Sequence, residues 1–380
     1  MPRHAVQKRR LPLPPVRVVS SNIRFLLSSK HGVAGSAGDL VAGSRTAGAT
    51  RIDTARAGKF RHDGVVHLPR PIQEAIEKRV EDTGFAAVKR AAAILSDAYR
   101  DGRTPLALPA AERVAAYLVT RMPATYAASC RALAETAHLL GGRAVSIVLD
   151  VGAGAGAAAL AACERFPAAR LTLIERDAAL AEVARQWLPK ADFRAQDAAR
   201  MESFPPHDLV IASYSLGEMG PHTGPRVARR LWQAARVALV ILEPGTPKGF
   251  ALLREIRADL LAAGAYMLAP CPAAAACPMA DPDWCHFAAR VERSSMHRRI
   301  KEGALGYEDE KFSYIAFARE PVTLPAARII RRPQHQAGLI AIETCTPAGL
   351  RGERISKRDR EAFREARRAD WGDVWNRKLS

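Results

Sequence analysis

The chain has 380 residues, 48% of them hydrophobic and 25% charged, enough to build one large domain and an accessory one without disulfide support. No apolar run approaches the ~20 residues of a membrane span, and six unevenly placed cysteines do not form a secreted disulfide framework, which excludes those two classes. The net charge of +18 and an isoelectric point near 10.2 favour a polyanionic partner, nucleic acid first; a solvated basic surface is the bland alternative.

Residues 1–64 carry Lys8-Arg9-Arg10 and a Leu-Pro-Leu-Pro-Pro run, meet their first acid at Asp39, and show no sustained periodicity. A disordered basic tail is expected there, as an RNA-attracting arm, a transit-like segment or an over-long start. Residues 65–140 turn helical: Ile72, Ile76 and Val80 keep helical spacing, as do Val88, Ala92 and Leu95. They predict an α-helical cap in which Cys130 is a plain core residue. Cys163 has the same role in the domain that follows.

Residues 141–266 read as alternating strands and helices, hence a parallel α/β sheet with its ligand at the strands' C-terminal ends. Val145-Ser-Ile-Val-Leu-Asp150 feeds a turn with glycines at every second position, Gly152, Gly154 and Gly156, and then an Ala/Leu helix. Glycines let the backbone turn sharply and let a ligand approach the helix N-terminus. A second strand ends at Glu175, where an acid can accept both hydroxyls of a ribose. A third ends at Asp197 and a fourth at Ser213; a fifth runs from Ala238 to Leu242. The Asp150-x-Gly-x-Gly spacing favours S-adenosylmethionine (SAM) over the G-x-G-x-x-G of dinucleotide enzymes. The expected cofactor residues are Asp150, Gly152, Gly154, Gly156, Glu175, Asp197 and Ser213.

Residues 267–311 open with three cysteines spaced Cys271-x5-Cys277-x7-Cys285, two of them followed by proline; Cys345 lies downstream at the end of an apolar run. Gathered thiolates hold a soft metal or an iron–sulfur cluster. Zinc knuckles pair cysteines two to four residues apart, which neither gap fits, so the wider spacing leans toward a four-iron cluster, with zinc as the alternative and incidental surface thiols as the bland one. Residues 287–301 read as a basic helix carrying Arg290 and Arg293. Residues 312–346 supply two late strands expected to close the main sheet, the second ending at Cys345, so the cysteine loop sits between strands five and six. Residues 347–380 form a basic segment with Lys357 and Arg358 and interleaved acids; its surplus cations suit phosphates.

Several windows together resemble a known family: Arg121-x-Pro-Ala-Thr-Tyr126, Asp150-x-Gly-x-Gly, Leu242-Glu-Pro-Gly-Thr-Pro247, Cys271-Pro, Cys277-Pro, Asp283-Trp-Cys-His-Phe287, Tyr307-Glu-Asp-Glu-Lys-Phe-Ser-Tyr314, and Ser356-Lys-Arg358 with Trp371-Gly-Asp373. They are similar to the small-ribosomal-subunit assembly family of methyltransferase-like proteins, which includes methyltransferase-like protein seventeen and the mitochondrial small-subunit protein twenty-two. The resemblance covers about Pro69 to Trp371. It implies a class I SAM-methyltransferase (Rossmann-like) fold with an inserted 4Fe-4S cluster held by Cys271, Cys277, Cys285 and Cys345. It also implies binding to ribosomal RNA of the immature small subunit, with Arg290, Arg293, Lys357 and Arg358 as candidate contacts. The free protein is expected to be a monomer without a membrane partner, in the cytoplasm of a bacterium or, if eukaryotic, the mitochondrial matrix.

The catalytic residue is unknown. An Asn/Asp-Pro-Pro-Tyr turn that would orient a base amine is replaced by Ser213-Tyr214-Ser215-Leu216, and no spare cysteine suits attack on a cytosine ring. Three readings stand: an rRNA-binding assembly factor, an active SAM-dependent rRNA methyltransferase, and a zinc-bearing RNA-binding protein on a degenerate methyltransferase fold.

Overall fold

A computed structural model describes residues 64–100 and 108–377, so the basic tail lies outside the described residues except for its last position. Four helices come first: α1 (Arg70–Thr83), α2 (Phe85–Arg100), α3 (Ala110–Thr120) and α4 (Met122–Leu140). Ile72, Ile76 and Val80 of α1, and Val88, Ala92 and Leu95 of α2, are all buried, as their spacing predicts. Pro123 falls in the first turn of α4, where a missing N–H leaves no bond unmade.

The main sheet follows. β1 (Ile147–Val151), α5 (Ala157–Arg165), β2 (Arg170–Ile174), α6 (Ala178–Trp187), β3 (Asp192–Arg194), β4 (His207–Ser213), α7 (Thr223–Ala234) and β5 (Ala235–Pro244) place five parallel strands side by side. The chain continues through α8 (Pro247–Ala262), β6 (Tyr266–Ala269), β7 (Phe287–Glu292), α9 (Ser295–Lys301) and β8 (Tyr307–Ala318). The spatial order is β3-β2-β1-β4-β5-β8-β6, with β8 antiparallel to both neighbours. Helices cover both faces, so central strands are continuous apolar runs; Val-Ala-Leu-Val-Ile-Leu in β5 is buried at all positions but the first. The order reverses between β1 and β4. Loops leaving these two strands part there and open a crevice at their C-terminal ends.

β8 serves two sets of partners. Residues 312–318 pair with β5 and the last three of them also with β6, while residues 307–312 pair with β7. A second sheet of β9 (Arg328–Ile329), β10 (Gln334–Gln336), β11 (Leu339–Thr346) and β12 (Gly349–Ser356) is wholly antiparallel and carries α10 (Arg360–Ala366). Its core joins Ile329, Ile340, Ile342, Ile355, Ala362 and Trp375.

Three expectations are corrected. Residues 287–292 are a strand that pairs antiparallel with residues 307–312 of β8, with Phe287, Ala288, Ala289 and Val291 buried; only Ser295–Lys301 is helical. The run ending at Cys345 does not close the main sheet: β6, a four-residue strand absent from the sequence reading, occupies the edge of β8, and β11 pairs with β9, β10 and β12 instead. The cysteine loop therefore leaves β6 and enters β7. Among the described residues no helix is long and apolar enough to cross a membrane.

Phe317, fully buried on β8, meets the Trp232 ring edge-on at 6.3 Å between centroids and joins the sheet to α7. Phe317→Ala is expected to lower the free energy of unfolding by about 3–5 kcal/mol, measured by denaturant titration.

Candidate functional site

After β1 the chain turns through Gly152 at φ +71° and Gly154 at φ +56°, a region that side chains disfavour. A Cβ at Gly152 would lie 2.5 Å from the Cβ of Ser215, so only glycine fits. The buried carboxyl of Asp150 accepts the Ala159 amide on Oδ2 at 3.0 Å and anchors α5 behind the turn, while Oδ1 has no hydrogen-bond partner. Burial pushes this carboxyl up to about 7 despite the Ala159 amide. Glu175 at the end of β2 accepts the amides of Gly154 and Asp177, each at 2.7 Å, and burial raises it too. Asp177 caps α6 and pairs with Arg113 of α3, which ties the helical cap to the sheet.

These elements bound a cavity of about 2180 Å³ between the cap and the C-terminal edge of the sheet. Gly152, Gly154, Glu175, Asp197 and Ser213 line it as expected. Asp150 and Gly156 stand behind it: the first orients the turn, and the second begins α5 in left-handed geometry. Tyr214, at φ +55°, donates its hydroxyl to Glu310 Oε1 at 2.9 Å, and Ser215 Oγ donates to Val151 O at 3.0 Å. Tyr117 and Arg121 face the turn from α3 and the α3–α4 junction. Exposed Glu218 and fully buried Glu243 complete the lining; burial pushes Glu243 up to about 8, although it accepts the Gly217 amide at 3.0 Å. The sequence reading did not count Tyr117, Arg121, Glu218, Glu243 and Glu310 as site residues. Only the positions of Glu218, in the turn that follows β4, and of Glu243, near the end of β5, signalled them.

Cys271, Cys277, Cys285 and Cys345 line a second, smaller cavity of about 80 Å³. Three come from the β6–β7 loop and the fourth from β11. Phe250, Met279 and Ile330 form apolar walls around them. Arg257 of α8 donates Nη2 to the carbonyls of Ala273 and Ala275, both at 2.8 Å, and its buried Nε has no partner. Buried Arg328 donates to Pro270 O at 3.0 Å. Ser313 Oγ donates to Cys285 O at 2.8 Å. Burial and then the other three thiols push Cys285 well above the usual thiol range, and burial with Cys271 and Cys277 raises Cys345 up to about 12. Among the described residues no group of three or more His, Cys, Asp or Glu side chains stands close enough to hold a metal ion. The donor set is all sulfur, with no carboxylate, which suits a soft centre; the unpartnered guanidinium nitrogen suits an anionic one. Cys130 and Cys163 lie apart in α4 and α5, as expected of core residues.

Of the proposed RNA contacts, Arg290 forms a two-pronged pair with Asp309 at 2.7 and 3.0 Å, and Arg293 pairs with Glu308 at 2.7 Å, so the β7–β8 hairpin neutralises both. Lys357 and Arg358 are exposed after β12, beside exposed Arg351, Arg354, Arg360 and Arg364.

The family model described as mitochondrial small ribosomal subunit Rsm22 matches residues 111–376. Human ribosome assembly protein METTL17, mitochondrial, is 28% identical over 193 residues, which cover 44% of this chain and 39% of that protein. Trans-aconitate 2-methyltransferase of Paracidovorax citrulli is 32% identical over 120 residues, 30% of this chain and 46% of the enzyme. The chain thus spans less than half the length of these two relatives. Among solved structures, the plantazolicin methyltransferase BpumL in complex with SAH is 14% identical, with 66% of this chain and 99% of that one covered and a TM-score of 0.37. The magnesium protoporphyrin IX methyltransferase ChlM of Synechocystis, with bound SAM, is 15% identical over 51% of this chain and 80% of that one, with a TM-score of 0.34.

Glu243 titrates near 8 in the folded chain, against a carboxyl value of 4.5 when exposed. Folding favours its protonated form, so its contribution is complete below about pH 4.5 and is lost as pH rises through about 8. Glu243→Gln is expected to flatten the decline in melting temperature between pH 5 and 8.5 (roughly the span of that titration), read by thermal scans in a pH series.

Proposed function

This chain belongs to the mitochondrial small ribosomal subunit Rsm22 family, whose model matches residues 111–376, and on that premise we propose that it is an rRNA-binding assembly factor of the small ribosomal subunit. In this reading the cleft holds SAM and the four cysteines hold a 4Fe-4S cluster. The convergence of Cys271, Cys277, Cys285 and Cys345 on one cavity carries it. Separate stretches of sequence meet there around sulfur donors, and the partnerless Nε of Arg257 beside them matches a thiolate cluster of net negative charge. Such a cluster would supply structural or electron-accepting capacity. The protein's own part is to present four thiolates, fix the loop through Arg257 and Arg328, and keep water off with Phe250, Met279 and Ile330.

In the cleft, SAM supplies an electrophilic methyl group. Its amino-acid half would lie against Gly152 and Gly154, with Asp150 and Gly156 shaping the turn behind, and its ribose against Glu175. Each Glu175 oxygen already accepts one amide and has a lone pair left for a hydroxyl. Asp197 and Ser213 would close the two ends. Lys357 and Arg358 would meet RNA phosphates on the face of β12 and α10, and Arg290 and Arg293, held by their carboxylates, would serve mainly to brace the hairpin. Ribosome assembly places the protein in the bacterial cytoplasm, or in the mitochondrial matrix of a eukaryote.

An active rRNA methyltransferase is the second reading, favoured by the size of the cleft. Its volume of about 2180 Å³ exceeds the ~300–1,000 Å³ of an ordinary small-molecule pocket and leaves room for an acceptor beside SAM. Transfer of labelled methyl to immature small-subunit RNA separates the two readings.

Anaerobic purification with iron, sulfide and zinc assays tests the cluster: about four irons and four sulfides are expected, lost in Cys285→Ser, whereas a colourless protein with one zinc would refute the cluster in favour of the zinc-bearing reading. Gly154→Val, at a positive φ and facing Tyr117, is expected to weaken SAM binding at least about tenfold by calorimetry, with iron content unchanged.

A further inference from the structure

The cleft and the cysteine cage share a wall. Residues 244–249, the turn after β5 and the start of α8, line the cleft. From the other side Trp284, the residue before Cys285, donates its indole Nε1 to Gly245 O at 2.9 Å. Gly245 in turn donates its amide to Lys311 O at 2.9 Å. A Cβ on Gly245 would come within 2.7 Å of Lys311 C and 2.8 Å of Phe312 N, so the turn sits against β8 without slack. Phe250, in the first turn of α8, packs in the apolar cluster that touches Cys277, Cys285 and Trp284. The loop at Cys285 and the turn on the cleft wall are thus joined by one hydrogen bond and one packed ring.

We propose that Trp284 is a positioning residue that couples the two sites, so that a filled cage tightens the binding of SAM in the cleft. The inference rests on the reading of the cage as a cluster site and the cleft as a SAM site. Loops that wrap a metal centre seldom keep their shape without it. A loosened loop lets Trp284 leave Gly245, and the turn at residues 244–249 then samples positions that no longer fit the ligand. The energy comes from the difference in order between the two states of one loop.

The test uses the full chain purified anaerobically, before and after removal of the cluster by chelation, with SAM affinity measured by calorimetry. The wild type is expected to bind SAM about tenfold more tightly with its cluster than without. Trp284→Phe, which keeps the ring but not the donor, is expected to retain its iron and sulfide and to bind SAM with nearly the same affinity in both states. A second readout needs no variant: amide hydrogen exchange at residues 245–249 of the wild type should quicken about tenfold on cluster removal, while that of β1 stays unchanged. Equal SAM affinity in the two wild-type forms, or a Trp284→Phe protein that keeps the tenfold difference, overturns the coupling. A protein without iron overturns it through the cluster reading, seen in the metal assay alone. An iron-loaded protein that binds no SAM overturns it through the SAM reading, seen in the calorimetry alone.

Discussion

Arg328 holds the parts of this protein together. Its guanidinium is 2% exposed and reaches three separate segments: Pro270 O at 3.0 Å in the cysteine loop, Gly372 O at 2.9 Å near the end of the chain, and Glu135 Oε1 at 2.6 Å on α4. It sits on β9, so the second sheet is tied through one side chain to the cap, the loop and the C-terminal turn. A buried ion pair of this kind contributes little net stability, because desolvation offsets the Coulomb gain, but loss of either partner leaves a bare charge inside. Its value is geometric. The guanidinium presents its donors in a rigid fork, and that fork sets where β11, and hence Cys345, stands relative to the three loop thiols.

The length of β8 is the second constraint. One half completes the main sheet and the other leaves it to pair with β7. That projection carries Glu310 and Lys311 to the rim of the cleft, while Ser313, inside the sheet, reaches the cage. The cleft itself depends on α3, whose Arg113 pairs with Asp177 and whose Tyr117 faces Gly154. The cap is thus part of the site as well as a cover for apolar surface.

Charge is sorted by depth. Exposed arginines and Lys357 gather on β12, α10 and the turn between them. Buried carboxyls, Asp150 behind the cleft and Glu243 on its floor, are drawn up by burial into or above the neutral range. Arg290 and Arg293, by contrast, spend their charge on Asp309 and Glu308 within the fold. A count of basic residues therefore overstates the charge that the surface leaves unpaired.

Local pattern decided much of this protein. The glycine turn with Asp150 and Glu175, the five parallel strands and the buried stripes of α1 and α2 were all legible, because helix and strand periodicities and positive-φ glycines act over a few residues. The four thiols were also legible as candidates. Tertiary structure alone decided which surfaces those elements share. β6 is too short to register, β7 runs without a break into the basic helix α9 in sequence, and β11 reads as a closing strand until β6 is seen to take its place. Glu218, Glu243 and Tyr117 belong to the cleft only because the sheet reverses its order between β1 and β4 and the cap folds over that point. Partner choice among strands, and the depth at which a carboxyl or guanidinium comes to rest, depend on residues far apart in the chain, which no local window contains.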